Sequence, residues 1–479
     1  MKQWINRILA AGTALLLLLS PGFPTSYGAD GSGTNSTSPP LIRVGLQYTQ
    51  SALSRTVISA SPGLSLWNPS NGTAGTGFIS LEGTNEIVVS MEGGNLKAAD
   101  SSGTEVQVLA GDQMVTVTSL LREGYVLCSR DYSSRLSDPA AGILSLTRVD
   151  GVPYRGAIGF TINANNTFRL VNTLTIDEYA YGVINSEMGY SNPMEALKAQ
   201  AVVVRSYAMT NMGRHGTSGY DVCDSTHCQV YKGYNQENAR SNQAVDETSM
   251  LGMYHNGEPA TGYFYKNSGG YTQKAEDVWN APVGYLKAVS DPYSPLYSWN
   301  AEFTLSELET KLRTAGYKTG PLTSVSVTGH NESGAVASLT FKGQEAAVTL
   351  TKEKIRSVLG MTQIKSTHFS LTSSQTQASK AWYVQGKIQT AQAGTKIHVL
   401  GGGGTKAQLE IRDKYVIGSS GIQKLEGFTE EITGSTLRFE GKGYGHGVGM
   451  PQDSAIAMAK EGAGFEEILK FYYKDIEIK

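Results

Sequence analysis

Three groups of residues in this 479-residue chain have the types and spacing to do chemistry. The first is a single carboxylate, Glu187, inside the run IDEYAYGVINSEMGYSNPMEALKAQAVVVRSY from Ile176 to Tyr207. Helical patterns flank it on both sides, an arrangement that can hold one side chain at a surface or cleft. On spacing alone such a glutamate is an ordinary solvated charge. Enclosed by Met188, Tyr190 and Tyr181 it would lose water, and its pKa would rise toward that of a general acid working near neutral pH. A helix N-terminus aimed at it would act in the opposite sense. The second group is His215, Cys223, His227 and Cys228, soft and borderline ligands that could make a four-coordinate, structural zinc site. A disulfide between Cys223 and Cys228, leaving Cys128 unpaired, is the competing reading for an exported chain. The third is GKGYGHGVGM, Gly441 to Met450, where alternating glycines would let His446 approach a ligand closely. No His-Glu-x-x-His pair places a base beside metal ligands, which argues against a zinc peptidase.

Two helices must position the carboxylate. For the first, Thr175 and Glu178 form a cap pair and Tyr179 and Val183 lie one turn apart; it should stop near Asn185, leaving Ser186, Glu187 and Met188 between helices. For the second, Asn192 reads as N-cap, Pro193 as the first helical residue and Glu195 as the capping-box partner. Leu197, Ala201, Val204 and Ala208 make its apolar stripe, ended near Gly213, with Lys198, Gln200 and Arg205 outside it. A hairpin turning at Asn163 to Asn166 should lead into the first helix.

Elsewhere, short alternating runs over 41–152 predict a β-rich accessory region. Residues 301–371 read as a small α+β subdomain, with a helix over Leu305 to Ala315, strands over Leu322 to Leu350 and a helix over Lys352 to Leu359. Residues 372–438, with a Gly401 to Gly404 turn, read as a β-rich insertion, and 439–479 as the glycine motif followed by two helices. The formal net charge of −2 with 17% charged residues and no basic block argues against a sequence-independent hold on nucleic acid. Lys2, Arg7, an apolar run from Ile8 to Leu19 and Ser26-Tyr27-Gly28 predict an export signal over 1–29, followed by a polar linker over 30–40. The protein is then secreted or in the cell wall, with a membrane anchor only if that segment stays uncleaved.

Tyr179-x-x-Gly182-Val183, Ser186-Glu187-Met188 and Glu195-Ala-Leu-Lys-Ala-Gln-Ala-Val resemble the core of the stage II sporulation protein D (SpoIID) and amidase-enhancer LytB family. Ser268-Gly269-Gly270-Tyr271-Thr272, Trp279-x-x-Pro282-x-x-Tyr285-Leu286 and Gly445 to Met450 are similar to it as well. Lys266, Asn267, Pro451 and Ser454 depart from the family pattern, whereas Gln452 and Ala455 keep it. The resemblance implies an α+β fold, with a SpoIID-like catalytic core of paired helices and sheet over 153–300 completed by 439–479. It implies a peptidoglycan lytic transglycosylase whose catalytic acid is Glu187, with a 1,6-anhydro product. Gln200, Arg205, Ser268 and His446 are then candidate substrate contacts. Zinc is associated with the segment that holds Cys223 and Cys228, with His215 and His227 beside them. The partners implied are peptidoglycan strands and a cell-wall amidase, in sporulation or other wall remodelling. The alternative is a wall-binding or amidase-enhancing protein without catalysis.

Overall fold

The computed structural model describes residues 40–46, 52–71, 77–137, 144–279, 281–373, 379–384, 387–392, 396–400, 406–410, 415–418, 421–424, 432 and 436–479. The predicted export signal, nearly all of the linker and the Gly401 to Gly404 turn lie outside them. Helices and several small sheets make an α+β fold, and the chain divides into two units, one of residues up to Thr173 with Gly213–Asp221, the other of Leu174–Met212 with Val222–Lys479.

The first unit is mostly sheet. One sheet contains, side by side, Leu41–Gly45, Thr167–Thr175, Ala157–Asn163, Val126–Ser129, Leu64–Trp67 and Phe78–Ser80, and a second orders Val152–Arg155, Leu146–Val149, Arg55–Ser59, Glu86–Glu92 and Asn95–Ala99. The predicted hairpin is present, with Asn163 opposite Thr167 and Asn166 in the left-handed region that asparagine tolerates in turns. Two short helices, α1 (Val117–Arg122) and α2 (Tyr132–Ser137), stand where strands alone were expected. The alternation of Val115 and Val117 concealed α1, because Thr116 caps it by accepting from Ser119 N and the buried Val117, Leu120 and Leu121 fall at helical spacing.

The second unit begins at Leu174, one residue before the Thr175 N-cap of α3 (Ile176–Glu187), where the expected capping box with Glu178 is complete. The helix α4 (Met194–Thr210) departs from expectation at its start: Pro193 is the N-cap and no side chain caps it. Asn192 instead donates to Gly189 O, and Glu195 receives Lys198 Nζ and Phe465 N. Burial runs almost all round α4, wider than the one stripe read from sequence, because α5 (Ala239–Asp246) and the carboxyl-terminal helices also cover it.

A short helix α6 (Ala275–Val278) precedes a smaller group in which α7 (Leu305–Thr314) and α8 (Lys354–Leu359) pack on two three-stranded sheets. One is Leu322–His330, Val336–Gly343 and Ala347–Thr351; the other orders Ser298–Thr304, Thr436–Lys442 and Phe369–Ser373. Finally α9 (Gln452–Lys460) and α10 (Phe465–Tyr472) return to α4. Val202 and Val203 of α4 share one core with Val448, Met458, Ile468 and Leu469, so residues far apart in the chain bury each other's apolar surface.

Candidate active site

Glu187 is the last residue of α3, because the helix continues two residues past Asn185 to its C-cap Met188, whose N–H bonds Ile184 O at 2.7 Å. This corrects the expected interhelical placement. Its carboxylate Oε1 accepts the Val230 main-chain N–H at 3.0 Å. Burial drives its pKa upward and the Val230 bond opposes that rise. The enclosure differs from the expected one: Met188 is buried, whereas Tyr190 is exposed and the Tyr181 hydroxyl donates to Asp246.

Gln452, the first residue of α9, donates its amide to the main-chain oxygen of Glu187 at 3.0 Å and lies 3.5 Å from Gln200 Oε1. The carbonyl at a helix end lacks an intrahelical partner, and this side chain supplies one. Gln200 is fully buried on α4 and its Nε2 has no partner. The same is true of Ser186 Oγ and of Gln229 Nε2, although Gln229 Oε1 accepts the Tyr179 hydroxyl at 3.0 Å. Buried polar atoms of this kind call for a ligand or water. Sequence reading retained Gln452 without giving it a role and passed over Val230 and Gln229; nothing local marks residues that act through the main chain of a distant one.

Three expected substrate contacts are committed elsewhere. Arg205 is 1% exposed; its guanidinium pairs with Asp177 and donates to Thr248 Oγ1 at 3.1 Å and Val245 O at 2.7 Å. Ser268 is buried and donates to Asp291 at 2.6 Å, a carboxylate that also receives Ser454 Oγ and Tyr472 OH. His446 donates from Nε2 to Phe264 O at 3.0 Å and accepts Val448 N–H on Nδ1 at 3.1 Å, and burial lowers its pKa to about 4. Arg205 and Ser268 are thus each held by buried protein partners, and both ring nitrogens of His446 are engaged by main chain.

The alternating glycines have a matching explanation. Gly447 and Gly449 have φ of +88° and +78°, and a Cβ there would stand 2.4 Å from Gln273 Nε2 and 2.0 Å from Tyr263 O. They let the motif pack against its own chain, in place of the expected ligand approach. The departures from the family pattern also answer one another, since Lys266 and Asn267 both bond Asp453, and Ser454 bonds Asp291.

Within the second unit Cys223, His227 and Cys228 form a cluster able to hold a metal ion, their ligand atoms within 4.8 Å of one another. His227 Nδ1 is 3.7 Å from Cys223 Sγ and 3.6 Å from Cys228 Sγ. The three cysteines are free thiols, with Cys128 buried. Contact with Cys228 is the first of the interactions that lower the Cys223 pKa, favouring the thiolate that binds metal. Two sulfurs and an imidazole suit zinc. His215 lies on the Gly213–Asp221 segment, half-buried and stacked on Tyr220 at 4.9 Å.

Among the described residues no helix is long and apolar enough to cross a membrane. The family model described as stage II sporulation protein (SpoIID) matches residues 164–255, and a domain of unknown function, DUF8618, matches 273–387. The amidase enhancer of Bacillus subtilis (strain 168) is 31% identical over 61% of this chain and 39% of its own length. Stage II sporulation protein D of the same organism is 27% identical over 64% of this chain and 75% of its own. An uncharacterized protein of Brachyspira hyodysenteriae is 28% identical over 69% and 73%. The chain therefore spans well under half of the amidase enhancer and about three quarters of the other two. The SpoIID match lies over α3, α4 and α5, and together with these relatives it supports kinship of that part of the chain with the SpoIID/LytB family.

Proposed function

We propose that this protein is a peptidoglycan lytic transglycosylase in which Glu187 is the catalytic acid and base. The observation that carries the reading is a carboxyl group whose pKa burial raises, at a helix end whose carbonyl a distant side chain holds. Protonated Glu187 gives its proton to the oxygen joining N-acetylmuramic acid to N-acetylglucosamine as that bond breaks through an oxocarbenium-like state. The carboxylate then takes the proton of the C6 hydroxyl of the same muramic sugar, and that oxygen closes on C1 to give the 1,6-anhydro product. One carboxylate serves both steps because the second nucleophile is already held in place, unlike the paired carboxylates of hydrolases. The unpartnered Gln200 Nε2 is the substrate contact retained from sequence.

Cys223, His227 and Cys228 would hold a structural zinc. Such an ion would cross-link the turn that runs into Val230, whose N–H meets Glu187. With the export signal expected from sequence, the reaction would take place in the cell wall. A cell-wall amidase is a candidate partner in view of the name of the amidase-enhancer relative.

The test is to incubate the protein and its Glu187→Gln form with glycan strands, with and without stem peptides, and to analyse the products by mass spectrometry. Anhydro-ended sugars from the wild type alone are the expected result. Reducing ends would mean hydrolysis, and binding without cleavage by both forms would replace this reading with the amidase-enhancing one.

A further inference from the structure

A groove of about 620 Å³ lies on the sheet of Ser298–Thr304, Thr436–Lys442 and Phe369–Ser373, in the region matched mainly by the domain of unknown function. Strand alternation sorts its residues. Trp299, Phe369 and Phe439 point into the core. The opposite face carries polar residues in cross-strand rows. Asn300, Glu440 and Ser370 are directly paired. One row away, Ser298 pairs with Lys442, whose N–H bonds His368 O at 2.9 Å. One row in the other direction is Arg438.

Two observations make this more than a polar surface. Arg438, Glu440 and Lys442 alternate in sign along one strand, with successive rows about 7 Å apart. His368, 6% exposed, lines the groove with Nε2 lacking any partner. Burial lowers its pKa to about 4, against the effect of a hydrogen bond to the Tyr271 main chain. The ring is therefore neutral, and its Nε2 is a buried polar atom without a partner. An unpartnered polar atom at such depth is costly unless a ligand or water meets it.

We propose that this groove binds an extended peptide carrying one ammonium group between two carboxylates, the charge order of a peptidoglycan stem peptide. The ligand carboxylates face Arg438 and Lys442, its ammonium faces Glu440, and the unpartnered His368 ring lies beneath it, where a small rearrangement or a bridging water would link the two. The Arg438–Glu440 ion pair, 3.0 Å long and about half exposed, contributes little in water and yields to the ligand. The proposal rests on peptidoglycan being the substrate, and it adds that the protein holds peptide-bearing strands.

Binding is measured by calorimetry in the Glu187→Gln background, so that nothing is cut. The probes are a free wall tripeptide with a diamino acid, the disaccharide-tripeptide, and the bare disaccharide. Both tripeptide ligands should lose tenfold or more in affinity with Glu440→Lys and with Lys442→Glu, while the bare disaccharide is unaffected. The His368 Nε2 nitrogen resonance should shift with the tripeptide alone. Thermal melts identify a variant that has not folded, and Asn300→Asp then supplies a milder change to the same face, with a smaller loss expected. Failure of the tripeptide to bind, or unchanged affinity in the folded groove variants, overturns the proposal. Loss of bare-disaccharide affinity instead would make the groove a glycan subsite and overturn it equally. Anhydro-product formation by the wild type is scored separately, so the transglycosylase reading and this one can fail independently.

Discussion

At the scale of the residue, Glu187 is held against its own preference for water. Its folded-state pKa lies above the unfolded value, so the native state binds more protons between the two, and stability falls as pH rises through that window. Glu187→Gln should therefore melt higher than wild type above the folded pKa and gain nothing at pH 3, where both states are protonated; calorimetric scans at the two pH values check this. The acid form is lost above the same pKa, so the cleavage rate should decline on that side, later than for an exposed glutamate. Sequence identified this carboxylate through its Ser-Glu-Met setting, and Thr175 with Glu178 as the cap of its helix. Its amide donor was not legible, because Val230 lies 43 residues away and contributes only main chain. The internal partners of Arg205 and Ser268 were not legible for a general reason: a polar side chain off an apolar stripe reads the same whether it faces a ligand or a buried partner.

At the scale of the element, the three helices α3, α4 and α5 are tied by a buried ion pair. Asp177 of α3 receives Arg205 of α4 and also Ser249 Oγ, while Arg205 reaches Val245 of α5. Arg205→Ala leaves Asp177 without its counter-charge in the interior and should cost about 3–5 kcal/mol by denaturant unfolding. Helix and strand types were largely readable here, since α7, α8, α9 and α10 fall close to where periodicity places them. The start of α4 was not, because Asn192 and Glu195 have other partners in the fold and leave Pro193 as cap. Local capping rules lose to tertiary contacts of comparable strength.

At the scale of the whole chain, the sequence divides where contacts do not. The predicted boundary near residue 153 separates the hairpin from the β-rich region, yet the hairpin strands belong to the first unit's sheet, which takes them through Thr173. Pattern shows which residues are strands but not which sheet they join. The metal reading is tested at this scale. The purified protein should contain zinc near one equivalent by mass spectrometry, and Cys223→Ser should abolish it; chelation should lower the melting temperature by several degrees. Zinc-free protein with an unchanged melt would remove the site.

The bond from Gln452 to Glu187 spans 265 positions of sequence, and this sets an order on biogenesis. While the chain is still being synthesised, Glu187 has already emerged but the side chain that holds its carbonyl has not. A fragment ending before Gln452 also lacks Met458, Ile468 and Leu469 for the shared core. The setting of Glu187 is therefore assembled last, and a truncated or prematurely nicked copy is left without it.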